Sequence, residues 1–245
     1  MRKKLYVDST DLSTYGLYIS GAGTFGAPEK DVPTYTVPGR NGLVLGSTSR
    51  LQNIQVTYPA FICSNFAQNM MDLRSFLLSR NGYVKITDDY DTTHYRKGFF
   101  NAGIEPEMTQ MLDAGQFNLV FNCLPQRWLL TGDTEQTNPA SLTNATRFDA
   151  KPLVRIYGYG TLSIGSVDFV IAQHTESYVD VDCETMQVYC GDTNMAAYAD
   201  FQATENGQTV YNVDPPVLAA NATTTITKSG ATITSYKITP RWWEV

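Results

Sequence analysis

Histidine is scarce in this sequence, and that scarcity limits the chemistry available to the protein. The 245 residues include only His94 and His174, which lie 80 positions apart. A zinc or iron site usually needs a cluster of such ligands, and a serine hydrolase needs a histidine beside its nucleophile. We interpret both side chains as surface or locally bonded imidazoles.

Charged residues and long apolar runs are also scarce. Charged residues make up 17% of the chain, below the roughly 25% of an ordinary soluble protein. No run of about 18 apolar residues occurs, so no membrane span is expected. Met1-Arg2-Lys3-Lys4 is not followed by the apolar core of a signal peptide. We therefore expect a soluble protein made in a cytoplasm.

Cysteine spacing gives no indication of a metal site. The sequence contains four cysteines: Cys63, Cys123, Cys183 and Cys190. Their spacing lacks the Cys-x-x-Cys pattern, and we expect reduced, mostly buried thiols. A predicted turn at Glu184-Thr185 would place Cys183 opposite Met186, so a disulfide between Cys183 and Cys190 is not expected.

The densest acidic cluster is Asp88-Asp89-Tyr90-Asp91. Its spacing lacks the alternating ligands and the fixed glycine of an EF-hand calcium loop. We predict a solvated loop between two strands. A pair of glycosidase carboxylates is defined by distance in space and leaves no pattern in a sequence, so a glycoside or peptidoglycan hydrolase remains a third hypothesis, testable by zymography.

Nucleotide and nucleic-acid binding are both disfavoured. The stretch from Gly21 to Gly26 has the spacing of a dinucleotide fingerprint, but Ala27-Pro28 follows it in place of a helix, so we predict a flexible loop. The chain has a pI of about 4.9 and no basic stripe to bind phosphates. We identify no catalytic residue, no cofactor-binding residue and no metal ligand, and we predict that the protein is not an enzyme.

Polar uncharged, β-branched and aromatic residues are abundant in this sequence, whereas charged residues are scarce. The chain contains 15 tyrosines and 11 phenylalanines, and side chains of these kinds favour strands over helices. Short alternating or apolar runs predict strands in the first part of the chain, at 17–19, 34–37, 43–45, 54–58, 83–86 and 117–123. The sequence therefore predicts a mostly β protein.

One helix is predicted in this β-rich pattern. Phe66, Met70, Leu73 and Leu77 follow one another at steps of four, three and four residues, which places them on one helical face. Ser64 or Asn65 is the predicted N-cap, and Asn81-Gly82 the predicted stop. We expect this face to pack on a sheet.

Charge and pattern indicate two domains. Residues 1–130 hold 12 Lys and Arg against 11 Asp and Glu, whereas residues 131–245 hold 6 against 13. Residues 131–139 are polar, lack hydrophobic periodicity and end at Pro139, as expected of a connector. Further strands are predicted at 153–157, 178–182 and 187–189, and around Val210, Ile226, Ile233 and Ile238. Short strands at this spacing are typical of a sandwich or jelly roll.

Five motifs appear in the order found in the distal tail proteins of siphophages. They lie at 36–42, 72–77, 90–96, 121–125 and 240–243, the last being Pro240-Arg241-Trp242-Trp243. Each motif is weak alone, but the chain resembles this family from end to end. The resemblance implies an N-terminal, barrel-like or sandwich ring-forming domain with one helix (1–132) and a C-terminal galectin-like β-sandwich (138–245).

The resemblance also implies a place in a virion. Family members form a hexameric ring, single or stacked, at the tip of a long non-contractile tail, and they are assembled in the bacterial cytoplasm. One face of the ring docks the tail tube, and the other carries the tail-associated lysin and the receptor-binding or baseplate proteins. DNA passes through the central channel without specific binding. The alternative is a carbohydrate-binding or adhesin protein that contacts the host surface.

The C-terminal motif gives a further structural expectation. Pro240 should end the last strand, and Trp242 and Trp243 should point to opposite faces. We expect one tryptophan to anchor the terminus and the other to cover a domain junction or a neighbour, with Arg241 free to pair. A sugar-binding platform usually needs an exposed tryptophan, and the only other one is Trp128.

Overall fold

Extended segments with alternating buried and exposed side chains make up much of the structure. The structure is a computed structural model and describes residues 2–21, 25–47, 50–109, 113–230 and 232–245. Twenty-three strands and one α-helix occur in these ranges, and the strands pair in antiparallel fashion. The prediction of a mostly β fold with a single helix is therefore confirmed.

The chain divides into two compact units. Unit 1 comprises residues 1–127 with Val245, and unit 2 comprises residues 128–244. Residues 131–139, expected to be a connector, instead contain a short 3₁₀ helix and a strand that belongs to a sheet of unit 2. The functional roles assigned to the two predicted domains remain predictions.

A curled antiparallel sheet forms unit 1. Its strands are β1 (Leu5–Val7), β2 (Thr10–Asp11), β3 (Leu17–Ile19), β6 (Ile54–Ile62), β7 (Val84–Asp88), β8 (Asp91–Phe100), β9 (Glu107–Thr109) and β10 (Ala114–Leu129). They run in the order β2-β1-β7-β8-β10-β6-β3, with β9 beside β10. A bridge between Lys3 and Ile19 brings the chain before β1 next to β3, so the sheet curls back towards itself.

The helix α1 (Phe66–Leu78) packs on the inner side of this sheet. Its buried residues are the four that the spacing predicts, and Leu73 is fully buried. Asn65 is the N-cap residue, as predicted, but it has a left-handed backbone and makes no capping bond through its side chain. The Phe66 amide instead donates to Asp113 Oδ1 at 3.1 Å. The helix also ends before Asn81-Gly82, at Leu78.

A separate hairpin lies in the segment between β3 and β6. Its strands, β4 (Thr34–Tyr35) and β5 (Val44–Leu45), form a two-stranded sheet and, among the described residues, pair only with each other. The turn predicted at Asn41-Gly42 lies between them. Residues 22–24 of the predicted glycine-rich loop lie outside the described residues.

Two six-stranded sheets form unit 2. The first contains β11 (Gln136–Thr137), β13 (Leu153–Tyr157), β16 (Val179–Asp182), β17 (Gln187–Cys190), β18 (Thr193–Asn194) and β22 (Ser235–Thr239). The second contains β12 (Ser141–Asn144), β14 (Gly160–Ile164), β15 (Val167–Ile171), β19 (Ala199–Glu205), β20 (Gln208–Tyr211) and β21 (Ala222–Ser229). A final short strand, β23 (Trp243–Glu244), ends the unit.

One core joins these two sheets. Val154 and Ile156 of β13 belong to the same buried cluster as Leu162 of β14 and Phe169 of β15. Two sheets that share one apolar layer form a β-sandwich. The predicted strand around Ile233 is wrong, because β22 starts two residues later; Ile233 is nevertheless buried in the core.

Candidate interaction surfaces

Each histidine makes local contacts within its own unit. His94 Nδ1 lies 2.9 Å from Asp91 Oδ2 in unit 1, and His174 Nε2 lies 3.1 Å from the Gly158 carbonyl in unit 2. Both imidazoles are locally bonded, as predicted. Within the described ranges, no group of three or more His, Cys, Asp or Glu side chains could hold a metal ion.

The acidic segment 88–91 is the turn between β7 and β8. Asp88 Oδ1 accepts hydrogen bonds from the amides of Tyr90 and Asp91. Burial alone would raise the pKa of Asp91, but hydrogen bonds from Thr93 and His94 outweigh it and hold that pKa well below its usual range. The segment is the predicted connection between strands, but Asp88 and Asp91 are half-buried and not fully solvated.

The four cysteines are free thiols. Cys123 and Cys183 are buried, and burial raises the pKa of each to about 12. A thiol with such a pKa is protonated at neutral pH and is a poor nucleophile. Asp182 pairs with Gln187 across the β16–β17 hairpin, so the next pair outward is Cys183 and Met186, as the predicted turn requires.

The β4–β5 hairpin exposes apolar side chains that no core covers. Tyr35, Val37, Leu43 and Leu45 are all exposed, Leu45 by 67%. Phe25, earlier in the same segment, is 81% exposed. A lone two-stranded hairpin is marginally stable in water, and a contiguous exposed apolar patch usually marks an interaction surface. Residues 25–45 therefore form the first candidate surface, which we call the hairpin surface.

The outer side of α1 is a second, smaller candidate. Met71 and Leu78 are exposed there, beside the charged Asp72 and Arg74. Gln68 donates to Asp72 one turn along the helix at 3.0 Å. Two exposed apolar residues among polar neighbours contribute less to binding than the hairpin surface.

A third candidate lies at the edge of unit 2. The strands β19 and β20 are joined by Asn206-Gly207, both with positive φ, so that Glu205 pairs with Gln208. Such a turn is typical of tight hairpins. Every residue of β20 is exposed, including Val210 and Tyr211. The edge of this sheet is therefore open to a partner.

The C-terminal motif folds onto unit 2. Pro240 follows β22, as predicted, and Trp242 is buried in the core with 8% exposure. Its carbonyl accepts from the Leu129 amide at 2.9 Å. Gly132 must be a glycine here, because a Cβ would lie 2.5 Å from the Trp242 nitrogen.

The other two side chains of that motif also make specific contacts. The ring of Trp243 stacks on Phe148 of the same unit at 4.3 Å, and its Nε1 donates to the Asp149 carbonyl. Arg241 was expected to be free to pair, and it does pair: its guanidinium donates to both oxygens of Asp182 at 2.8 and 3.0 Å. Burial opposes the charge of each partner, but the pairing raises the pKa of Arg241 and lowers that of Asp182.

No tryptophan is available as an open sugar-binding platform. Trp128 and Trp242 are buried, and Trp243 is half-buried with one face on Phe148. Carbohydrate sites of proteins commonly stack a sugar on an exposed aromatic ring. The placement of these three side chains thus gives no support to the alternative of a carbohydrate-binding protein.

Comparison with known structures decides the fold. The Dit protein of phage SPP1, described as a hub of the adsorption apparatus of phages that infect Gram-positive bacteria, superposes with a TM-score of 0.60. The match covers 97% of this chain and 98% of that one at 14% identity. The chain has the Dit fold. The predicted resemblance to distal tail proteins is therefore confirmed at the level of fold.

A second match is a chain of the phage P2 baseplate in its activated conformation with calcium. It has a TM-score of 0.50 and 8% identity, and it covers 97% of this chain and 98% of that one. No protein-family model matches the sequence, and no curated protein matches it significantly. None of the helices in the described ranges has the length and apolar character needed to cross a bilayer.

Sequence reasoning missed the hairpin surface. It predicted the strands and the turn of this segment but not that their apolar residues stay outside the core. The available signal was composition: residues 25–47 contain three prolines and four glycines, so they lack the regular alternation of a buried strand. Apolar residues in such a segment are candidates for contact with a partner.

Proposed function

We propose that this protein is a structural hub at the distal end of a long non-contractile phage tail. It forms a homo-hexameric ring that joins the tail tube to the tail-associated lysin and to the receptor-binding or baseplate proteins. The observation that carries the proposal is the end-to-end likeness to the Dit hub of phage SPP1, which covers nearly all of both chains. A shared fold alone does not establish a function, so the proposal needs its own test.

The hairpin surface supports assembly through unit 1. A closed ring is built by a head-to-tail contact, in which two different patches of each subunit meet. Exposed apolar residues at Leu43 and Leu45, on a hairpin with no core of its own, suit one of those patches. We propose that the hairpin surface packs against a neighbouring copy of unit 1.

Charge is compatible with passage of DNA through the ring. Residues 1–127 hold 12 basic and 11 acidic side chains. A cationic lining would retain DNA, because basic side chains that neutralise phosphates release counterions and so bind DNA strongly. A nearly neutral ring lacks this source of affinity. A hexamer structure with a lysine-lined channel would contradict this part of the proposal.

Light scattering coupled to size exclusion tests the assembly. Six copies of the 27.2-kDa chain give about 163 kDa, and stacked rings give a multiple of that mass. A strict monomer at all concentrations would refute the hub proposal. The double variant Leu43→Asp/Leu45→Asp should shift the mass to that of a monomer while circular dichroism stays unchanged.

The matched control changes two exposed residues of unit 2. The double variant Val210→Asp/Tyr211→Asp adds the same charge at the β20 edge and should leave the hexamer intact. If the hairpin variant also remains hexameric, the hairpin surface is not the ring contact, although the hub proposal survives. If both variants dissociate, added charge and not the hairpin explains the result.

A further inference from the structure

A small cavity lies beneath the β7–β8 turn of unit 1. Its volume is about 30 Å³. The lining consists mainly of polar and charged side chains: Tyr58, Asp88, Asp91, His94, Arg96 and Arg127. Water needs roughly 10–15 Å³ of such volume, so the cavity has room for one group of two or three atoms.

Arg96 is the unusual member of this lining. It is a strand residue of β8, 5% exposed, and its Nη1 atom is buried without a hydrogen-bond partner among the described residues. No described carboxylate forms an ion pair with it. Arginine is almost never buried unless it is paired, because a buried charge without compensation is very costly.

The nearby carboxylates are already engaged. Asp91 forms an ion pair with Arg127 and accepts from Thr93. Asp88 Oδ2 accepts from the Tyr58 hydroxyl at 3.0 Å, and Oδ1 accepts from backbone amides of its own turn. Burial, and then the positive charge of Arg127, lower the pKa of Arg96. The Asp88 carboxylate acts in the opposite direction without forming an ion pair, so the surroundings of Arg96 on balance oppose its charge, and a neutral water molecule would not balance it.

We propose that this cavity binds one small monovalent anion, a halide or a small carboxylate such as formate, through the guanidinium of Arg96. The ligand would accept hydrogen bonds from Nη1 and neutralise the buried charge. Arginine suits this role because it stays protonated and presents several donors in one plane. The site is independent of the proposed role in the tail, since it requires only unit 1.

Chloride is the probe for the first test. Thermal unfolding is measured in sodium chloride and in sodium gluconate at equal ionic strength, because the gluconate anion is too large for the cavity. A ligand that binds only the folded state raises Tm; we expect chloride to raise it by roughly 2–4 °C for a chain of this length. Arg96→Met keeps the aliphatic stem but removes the charge, and should abolish the difference.

The control variant is Arg74→Gln, which removes one exposed arginine from α1. It should retain the full chloride effect, which distinguishes a specific site from a change in net charge. If Arg74→Gln and Arg96→Met lose the effect equally, or if the wild-type protein shows none, the proposal is wrong.

Crystals of the wild-type protein in sodium bromide give a second test that does not depend on folding of the Arg96 variant. The anomalous signal of bromide should show a peak in contact with Arg96 Nη1. Absence of that peak, or peaks only at surface lysines and arginines, would overturn the proposal.

Discussion

The two units of this chain differ in how the apolar side chains outside their central strands are buried. In unit 2 both sheets contribute to one core, and even the terminal Trp242 is buried in it. In unit 1 the curled sheet and α1 enclose a core, but five large apolar side chains of residues 25–45 are exposed to solvent. The contrast indicates that unit 2 buries its C-terminal motif in its own core, whereas unit 1 leaves the apolar side chains of the hairpin surface uncovered.

The ion pairs beside the C-terminal motif and beside the hairpin show the same contrast. Unit 2 has two bidentate pairs, Arg155 with Asp180 and Arg241 with Asp182, both at 2.7–3.0 Å. The second pair fixes the C-terminal motif to the end of β16. In unit 1, Arg50 and Asp31 meet beside the hairpin at 3.5 Å, with Arg50 largely exposed. Exposed pairs of that kind contribute little to stability.

Tryptophan fluorescence offers a way to observe the units separately. All three tryptophans lie in unit 2, so unit 1 has none. Selective excitation of tryptophan therefore reports on unit 2, and hydrogen exchange of individual peptides reports on unit 1. The two measurements together show which unit a substitution affects.

Trp242→Ala should have the largest effect. Removing a buried tryptophan costs about 3–5 kcal/mol, and here it also detaches the C-terminal strand from the core. The urea midpoint measured by fluorescence of the remaining tryptophans should fall sharply, while exchange of unit 1 peptides stays near wild type. Tyr211→Ala, at an exposed position of β20, is the control and should change the midpoint little.

Leu73→Ala should act on unit 1. Leu73 is fully buried between α1 and the sheet, and a leucine of this kind costs about 2–5 kcal/mol when truncated. Amides of α1 and β6 should exchange faster, and the fluorescence midpoint should not move. Equal changes in both measurements would show that the two units unfold as one, contrary to the division described above.

Asp182→Asn should weaken unit 2 in a pH-dependent manner. Loss of the charged hydrogen bonds to Arg241 costs about 1.5–3 kcal/mol. The pKa of Asp182 is lower in the folded state, so its contribution is complete above the unfolded pKa of about 3.9 and is lost as the pH falls through the folded value. The difference between variant and wild type should therefore shrink in acid. A difference independent of pH would contradict this assignment.

Leu78→Ala should have the smallest effect on stability. Leu78 is 67% exposed at the end of α1, and surface substitutions usually change the free energy of unfolding by less than about 0.5 kcal/mol. This variant is the matched control for Leu73→Ala, because both leucines lie on α1. If Leu78→Ala destabilises the purified assembly more than the monomer, the outer side of α1 belongs to the ring contact.

Hydrophobic periodicity in the sequence predicted the helix and several of the strands. The spacing of Phe66, Met70, Leu73 and Leu77 predicted α1 and its buried face, and the alternation in residues 117–123 predicted part of β10. Strand β8 was missed because its first half, Asp91-Thr92-Thr93-His94, is polar; its pairing with β7 supplies the hydrogen bonds that hold it.

Contacts between distant residues could not be predicted. The residue that caps α1, Asp113, is 47 positions from Phe66, and Asp182 is 59 positions from Arg241. No periodicity links such pairs. The same limit applies to the buried Arg96: its sequence neighbourhood indicated a family motif, but burial and the missing partner are properties of the folded sheet.

Negative-stain electron microscopy of the purified full chain tests the central proposal most directly. If the exposed apolar side chains of unit 1 are buried between copies in a ring, the particles should have six-fold symmetry and a central hole. The Leu43→Asp/Leu45→Asp variant should show no such particles. Isolated single-chain particles for the wild-type protein, at concentrations where it is folded and soluble, would contradict the account.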